Sequence, residues 1–163
     1  MPKSKLRVAE DDAPPVAADA TALPERQQLA ALPYVIAAGR VLVCLATSRE
    51  TRRWIIPKGW PRKGTPPHVQ AAAEAMEEAG LEGVISPASV GSYSYEKRMP
   101  RGQNLLCRVT VFPMLVTQQS RDWPERKERE LSWLPAREAA TRVDEPELSA
   151  LIASLDDLRL RAD

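Results

Sequence analysis

Three acidic residues have the spacing of a shared helix face. Glu74, Glu77 and Glu78 stand at positions i, i+3 and i+4 of one segment. Because an α-helix turns about 100° per residue, the three side chains fall within about 100° of one another. Carboxylates this close repel, and a divalent cation that prefers oxygen ligands would relieve the repulsion. The spacing therefore indicates a site for Mg²⁺ or Mn²⁺, with a solvated acidic helix face as the alternative.

The helix that carries these carboxylates has recognisable ends. We predict that it runs from about Pro66 to Ala79, with Thr65 as its N-cap and Gly80 as the left-handed residue that ends it. Its apolar side, opposite the glutamates on the helical wheel, should be buried. That side consists of Val69, Ala72, Met76 and Ala79.

The segment before the helix is basic. Residues 49–63 contain six basic residues and one acidic residue, whereas residues 71–82 contain four acidic residues and no basic one. A metal-bound polyphosphate needs cations for its phosphates and carboxylates for its metal, both close to one phosphorus atom. The order of charges therefore favours a phosphate-binding approach to a metal site.

The same residues carry a family resemblance. The segment PKGWPRKGTPPHVQAAAEAMEEAGL resembles a Nudix box, whose pattern is G-x5-E-x7-R-E-U-x-E-E-x-G-U with U a bulky apolar residue. The positions that match are Gly59, Glu74, Glu77, Glu78, Gly80 and Leu81. The resemblance extends from about Leu32 to Leu155 through RRWIIPKGW, GSYSYEKR and DWPERKERELSWLPAREA. These segments are similar to bacterial relatives of diphosphoinositol polyphosphate and diadenosine polyphosphate hydrolases.

The resemblance implies Mg²⁺-dependent hydrolysis of a phosphoanhydride bond. The expected substrate is linked to a nucleoside or inositol diphosphate, of the dinucleoside polyphosphate or diphosphoinositol polyphosphate type. Mg²⁺, or alternatively Mn²⁺, would be held by Glu74, Glu77 and Glu78 with the carbonyl of Gly59. The three glutamates are also the expected catalytic residues, and the general base is Glu74 or Glu77. The residues expected to bind substrate phosphates are Arg53, Lys58, Lys97, Arg98 and Arg129.

Two fixed positions of the box depart from the pattern. Thr65 stands where the family has Glu and Ala73 where it has Arg, and those two residues form an ion pair that orients the carboxylates. Losing one partner would leave a buried charge unpaired, at a cost of about 3–5 kcal/mol, whereas losing both is milder. We expect activity, at a rate reduced by looser carboxylates. The alternatives are a silent polyphosphate-binding relative and an RNA 5′-pyrophosphohydrolase, which the formal net charge of +1 disfavours.

Length and pattern favour one domain of mixed class. We interpret residues 1–27 as a disordered tail and residues 28–163 as a single α/β (α+β) domain; the resemblance implies an α/β/α sandwich around a mixed sheet. The expected strands lie at about 34–46 (broken at Gly39), 54–56, 84–96, 105–116 and 131–134. Two further helices are expected at 135–142 and 147–160. Two cysteines within apolar strands, Cys44 and Cys107, suggest inert buried thiols and a cytoplasmic protein.

The expected partner is a small polyphosphate substrate. The near-neutral charge makes nucleic acid an unexpected partner, and apolar runs too short for a bilayer exclude a membrane span. Oligomeric state is left open by the sequence.

Overall fold

A computed structural model describes residues 22–157, which form a mixed sheet with helices on both faces. Eight strands lie within this range: β1 (Glu25–Ala37), β2 (Arg40–Thr47), β3 (Trp54–Ile55), β4 (Lys58–Gly59), β5 (Leu81–Ile85), β6 (Gly91–Lys97), β7 (Leu105–Gln119) and β8 (Leu131–Pro135). The α-helices are α1 (Pro67–Ala79), α2 (Ala136–Arg142) and α3 (Pro146–Ala153), and a short 3₁₀ turn covers Arg126–Glu128.

A parallel pair of long strands forms the centre of the sheet. β1 and β7 run side by side, from Glu25 opposite Leu106 to Tyr34 opposite Leu115. The other pairs of named strands are antiparallel, in the order β3-β2-β1-β7-β5, with β8 also on β2 and β6 also on β7. A parallel pair requires a long crossover connection, and the chain from β2 to β6 supplies it.

Each face of the sheet has its own apolar core. Under α2 and α3, the core includes Leu32, Val43, Val109, Ala139 and Ile152. Under α1, it includes Leu29, Ala31, Cys44, Ala75 and Met114. The predicted α/β/α sandwich with a mixed sheet is therefore confirmed.

Both cysteines are buried free thiols, as predicted. Burial raises the pKa of Cys44 to about 12 and also raises the pKa of Cys107. A thiol with so high a pKa contributes almost no thiolate at neutral pH and is unreactive.

The segment 54–59 fills a gap where two neighbouring strands separate. β1 and β2 pair only between Tyr34–Ala37 and Arg40–Val43. Beyond that point β3 pairs with the end of β2, and β4 pairs with Leu29 and Ala30 of β1. The N–H of Ala31 also donates to the carbonyl of Pro57 at 3.1 Å. This course brings Gly59 and Lys58 to the side of α1.

The start of α1 differs from the prediction in its cap. The N-cap residue is Pro66, without a side-chain hydrogen bond, so the assignment of Thr65 as N-cap is wrong. The backbone N–H of Thr65 instead donates to the carbonyl of Arg62 at 3.0 Å in the preceding turn. Pro66 and Pro67 lack N–H groups and have a fixed φ suited to the first turn, which reduces the need for a side-chain cap.

The buried side of α1 also differs from the prediction. Val69 is 45% exposed and Met76 is only partly buried, so the predicted apolar face is wrong by about a third of a turn. The buried residues are Gln70, Ala71, Ala75, Glu78 and Ala79. Small side chains allow the helix axis to approach the sheet closely. This packing places Glu78 on the buried side instead of facing solvent.

One predicted strand is two strands. The segment 84–96 is interrupted between β5 and β6, because Pro87 has no N–H for the ladder and the Ser86 hydroxyl accepts the N–H of Ala88 at 3.1 Å. β7 continues three residues beyond the predicted end at Val116.

The predicted ends of the domain are only partly described. β1 begins at Glu25, inside the stretch assigned to the tail, and residues 1–21 of that stretch lie outside the described residues. α3 ends at Ala153, and residues 158–160 of the predicted last helix also lie outside them. No helix among residues 22–157 combines the length and apolar content that crossing a bilayer requires.

The end of α1 provides a test of packing at Gly80. Gly80 has a φ of 69°, and a Cβ built there would overlap the indole ring of Trp123. We predict that Gly80→Ala lowers the free energy of unfolding by about 1–3 kcal/mol more than Gly102→Ala, as measured by urea denaturation. Gly102 is the matched control, because its φ is 79° but its Cβ would meet open space. Equal losses would mean that the Trp123 ring does not constrain the helix end.

Candidate active site

The most deeply placed carboxylate of the site is that of Glu78. Its side chain is on the buried side of α1, and the residue is 7% exposed. Its Oε1 accepts the backbone N–H of Lys58 at 3.4 Å, and its Oε2 lies 3.7 Å from Nη2 of Arg129. Burial raises the pKa of Glu78 to about 7, although Arg129 and Lys58 act in the opposite direction. The two cations therefore offset the loss of hydration only in part.

Glu74 lies one turn earlier and faces the same cleft. Its half-buried carboxylate rests against Gly59, where any Cβ would overlap it. Nε2 of Gln70 donates to its Oε2 at 2.9 Å. Burial, the largest cause, raises the pKa of Glu74. The glycine at position 59 is thus explained by the space that the carboxylate occupies.

Glu77 is placed differently from its two neighbours. Its side chain is exposed, and its backbone carbonyl accepts the N–H of Glu125 at 3.1 Å. Among residues 22–157, no group of three or more His, Cys, Asp or Glu side chains is arranged to bind a metal ion. The structure brings Glu74 and Glu78 together beside Gly59, and metal binding by all three glutamates stays a prediction.

A fourth acidic residue, Glu125, was missed by the sequence analysis. Its Oε1 accepts Nη2 and Nε of Arg129 at 2.7 and 2.8 Å, and its charge acts on both Glu74 and Glu78. It lies in the charged run DWPERKERE, about 50 residues after the helix. Local spacing gives no signal for a contact at such a separation.

Arg129, one of the predicted phosphate ligands, contacts groups of the protein. Its side chain is 6% exposed, and its guanidinium contacts Glu125, Glu78 and the carbonyl of Thr47. These groups occupy its donors, so Arg129 contacts the acidic site instead of facing a substrate.

Two other predicted phosphate ligands lie over Tyr95, and a third, Lys97, is close enough to act on one of them. Nζ of Lys58 lies 5.0 Å from the centre of the Tyr95 ring, and Cζ of Arg53 lies 5.8 Å from it. The pKa of Lys58 is lowered to about 8, mainly by burial, with Arg53 and Lys97 acting in the same direction and Glu78 and Glu145 in the opposite one. We call Arg53, Lys58 and Lys97 the basic cluster.

The basic cluster is partly neutralised on one side. Nη1 of Arg53 contacts Oε2 of Glu145 at 2.5 Å, at a position just before α3. Among residues 22–157, no group donates a hydrogen bond to the other, buried carboxylate oxygen of Glu145. Arg98, the remaining predicted phosphate ligand, is exposed in the loop after β6. Within the basic cluster, Arg53 therefore contributes less positive charge than Lys58 and Lys97.

β4 joins the acidic and basic parts of the site. The backbone of Lys58 contacts Glu78, the side chain of Lys58 lies over Tyr95, and the next residue, Gly59, touches Glu74. Carboxylates and cations thus meet at two consecutive residues. Cations that bind phosphate oxygens, next to carboxylates, are the arrangement that hydrolysis of a phosphoanhydride requires.

The donors of the acidic part suit a hard divalent cation. Glu78 and Glu125 share the guanidinium of Arg129, and Glu125 also lies 4.0 Å from Nη1 of the exposed Arg49. Glu74 is held by the neutral amide of Gln70. The pKa of both Glu74 and Glu78 is raised because burial has removed water without supplying enough positive charge. Oxygen donors with uncompensated charge are the ligands that Mg²⁺ and Mn²⁺ prefer.

Comparison with known proteins gives both sequence relatives and fold relatives. The chain is 30% identical over 100 residues to Nudix hydrolase 12, mitochondrial, of Arabidopsis thaliana, a match that covers 60% of this chain and 49% of that protein. The chain thus spans about half the length of that curated relative. No protein-family model matches the chain.

Solved structures share the fold, among them the following two. One is the Ap4A hydrolase of C. elegans, with a TM-score of 0.57 and 16% identity over 82% of this chain and 97% of that one. The other is the NUDIX domain of Shewanella oneidensis NrtR complexed with ADP ribose, with a TM-score of 0.59 and 12% identity over 88% and 97%.

Burial of Glu78 predicts a pH-dependent stability in metal-free protein. The folded pKa of about 7 lies above the unfolded value of 4.5, so the carboxyl favours folding below pH 4.5 and loses that contribution as pH rises to about 7. We predict that Glu78→Gln, measured in EDTA by urea denaturation, is more stable than the parent at pH 8 by about 1–3 kcal/mol. This advantage should vanish at pH 4.5.

Glu77→Gln is the matched control, because it removes an exposed carboxylate from the same turn. Its stability should differ from the parent by less than about 0.5 kcal/mol at either pH. A pH-independent effect of Glu78→Gln would show that this carboxylate is not desolvated.

Proposed function

We propose that the chain is a member of the Nudix family and an Mg²⁺-dependent hydrolase of phosphoanhydride bonds in nucleoside- or inositol-diphosphate-linked substrates. The observation that carries this proposal is the junction at β4. There, Lys58 and Gly59 contact the carboxylates of Glu78 and Glu74 and also reach the basic cluster. An acidic helix face that only contacts solvent would not require a residue without a Cβ, such as Gly59, beside one of its carboxylates.

The acidic part would hold the divalent cation. Glu74 and Glu78 supply oxygen donors from the cleft, with the carbonyl of Gly59 beside them and Glu77 at the exposed edge. A bound Mg²⁺ would polarise phosphoryl oxygens and lower the pKa of a bound water. The position of Glu74, half-buried and beside Gly59, favours it over the exposed Glu77 as the group that accepts the proton of the attacking water.

The basic cluster would bind the phosphates. Lys58 places positive charge next to Glu78, Lys97 is close enough to act on Lys58, and Tyr95 offers a ring face below Lys58. Burial in a site of low dielectric strengthens each of these contacts with an anionic ligand. Arg53 contributes less, because Glu145 already neutralises it.

Nucleoside diphosphate derivatives are the substrate class that we favour. The two fold relatives are an Ap4A hydrolase and a NUDIX domain in complex with ADP ribose, both of which point to nucleotide-type ligands. Diphosphoinositol polyphosphates remain the alternative within the same chemistry, because Lys97 and Arg98 could serve further phosphates. The buried free thiols support a thiol-reducing compartment such as the cytoplasm.

A binding-only Nudix relative is the second candidate. It is favoured by Thr65 and Ala73, which remove the ion pair of the box, and by the exposed position of Glu77. Such a protein would bind a nucleoside diphosphate derivative at the basic cluster without cleaving it.

The proposal predicts a metal-dependent turnover that requires the buried carboxylates. With Mg²⁺, the protein should hydrolyse at least one of a diadenosine polyphosphate, ADP ribose and a diphosphoinositol polyphosphate, as followed by chromatography of the products. Glu78→Gln and Glu74→Gln should each lower kcat by about 10²–10⁴-fold, because each removes an oxygen donor or a proton acceptor. Lys58→Met should mainly raise KM.

Lys63→Gln is the control for these variants, because it removes an exposed positive charge of the same loop outside the basic cluster. Its kcat and KM should equal those of the parent. Turnover that survives Glu78→Gln unchanged would refute the site. Tight binding of these compounds without cleavage, under Mg²⁺ and Mn²⁺ alike, would favour the binding-only candidate.

A further inference from the structure

The contacts of Arg129 are unusual for a basic residue near a phosphate site. All three guanidinium nitrogens are occupied: Nε and Nη2 by Glu125, Nη1 by the carbonyl of Thr47 at 3.0 Å, and Nη2 also faces Oε2 of Glu78 at 3.7 Å. A planar fork with five N–H donors can serve a carbonyl and two carboxylates at once, which the single ammonium of a lysine cannot do.

The backbone around Arg129 is tied to the sheet. The N–H of Glu130 donates to Oγ1 of Thr47 at 2.9 Å, and the N–H of Thr47 donates to the carbonyl of Glu130 at 3.0 Å. Thr47 is itself buried at the end of β2. The guanidinium is therefore anchored by the sheet, although Arg129 stands outside any helix or strand.

The same loop is also tied to α1. The indole N–H of Trp123 donates to the carbonyl of Glu78 at 3.1 Å, and the N–H of Glu125 donates to that of Glu77 at the same distance. Both carbonyls belong to the last turn of the helix, where no intrahelical donor is available. Residues 123–130 thus connect the sheet to the helix turn that carries Glu78.

We propose that Arg129 is the positioning residue for Glu78: together with Glu125, it fixes the carboxylate of Glu78 in the orientation from which it serves the divalent cation. This inference rests on the proposed function for its catalytic meaning. It differs from a substrate contact, because the donors of Arg129 point to carboxylates and a carbonyl of the protein.

The variant Arg129→Met tests the positioning role, because loss of positioning and loss of a substrate contact affect kcat and KM differently. Loss of positioning should lower kcat about 10–100-fold and change KM little, because the basic cluster is untouched. Mn²⁺ affinity without substrate, measured by electron paramagnetic resonance, should weaken by about the same factor. Arg129→Lys keeps the charge but not the fork, so it should recover only part of kcat. Arg126→Met, which removes an exposed charge from the same loop, should match the parent.

A double variant separates positioning from folding. Arg129→Met leaves the largely buried Glu125 with the exposed Arg49, 4.0 Å away, as its remaining cation, so the midpoint in urea should fall. Arg129→Met with Glu125→Gln should recover the midpoint but keep the low kcat. Recovery of kcat along with the midpoint would overturn the proposal in favour of a structural role. A rise in KM at constant kcat would assign Arg129 to substrate instead. Tighter Mn²⁺ binding by Arg129→Met would also contradict the proposal, because it would show that Arg129 competes with the cation for the carboxylate of Glu78.

The Mn²⁺ measurement keeps this inference separate from the proposed function. If the parent protein hydrolyses none of the tested compounds, the proposed function fails. An unchanged Mn²⁺ affinity in a folded Arg129→Met protein would then contradict the positioning role by itself.

Discussion

The structure around the site depends on one constraint, which is the burial of a carboxylate on the helix that packs against the sheet. Glu78 has lost most of its water, and within the described part of the chain its carboxylate makes a long hydrogen bond to the N–H of Lys58 and an ion pair with Arg129. Removing a carboxylate from water costs several kcal/mol unless opposite charge replaces the hydration. A raised pKa shows that the protein alone supplies too little of it. This shortfall of positive charge is one of the observations that support the divalent cation of the proposed function.

The fold meets this constraint by bringing backbones close together. Ala71, Ala75 and Ala79 allow α1 to approach the sheet, and the absence of a side chain at Gly59 leaves room for Glu74. The separation of β1 from β2 creates the space that β4 enters. Larger apolar residues on the same helix face would move α1 outward, and the carboxylates would then reach water instead of the cleft.

Local chemistry made much of this predictable from sequence. The spacing of the glutamates and Gly80 gave the helix and its end to within one residue, and the apolar runs gave most strands. The helical wheel predicted the wrong buried face of α1 because it ranks residues by hydrophobicity. In the structure, the buried face consists largely of small alanines, and it includes Glu78. The pairing of Arg129 with Glu78 could not be predicted, since the two residues are about 50 positions apart and only the three-dimensional arrangement joins them.

The contact between Arg129 and Glu78 offers a physical reason why the chain can have Thr65 and Ala73 in place of the Glu and Arg of the Nudix box. What a buried carboxylate requires is a positive charge at a fixed place, and the electrostatic interaction is indifferent to which segment supplies it. An ion pair within the box and a guanidinium from a distant loop therefore satisfy the same need by different routes. The second route ties the carboxylate to the sheet through Thr47 as well as to its own helix. Glu125 neutralises Arg129 at the place where Arg129 pairs with Glu78. The effects of substituting Arg129 and Glu125 should therefore be coupled, and either substitution should change the orientation of the Glu78 carboxylate.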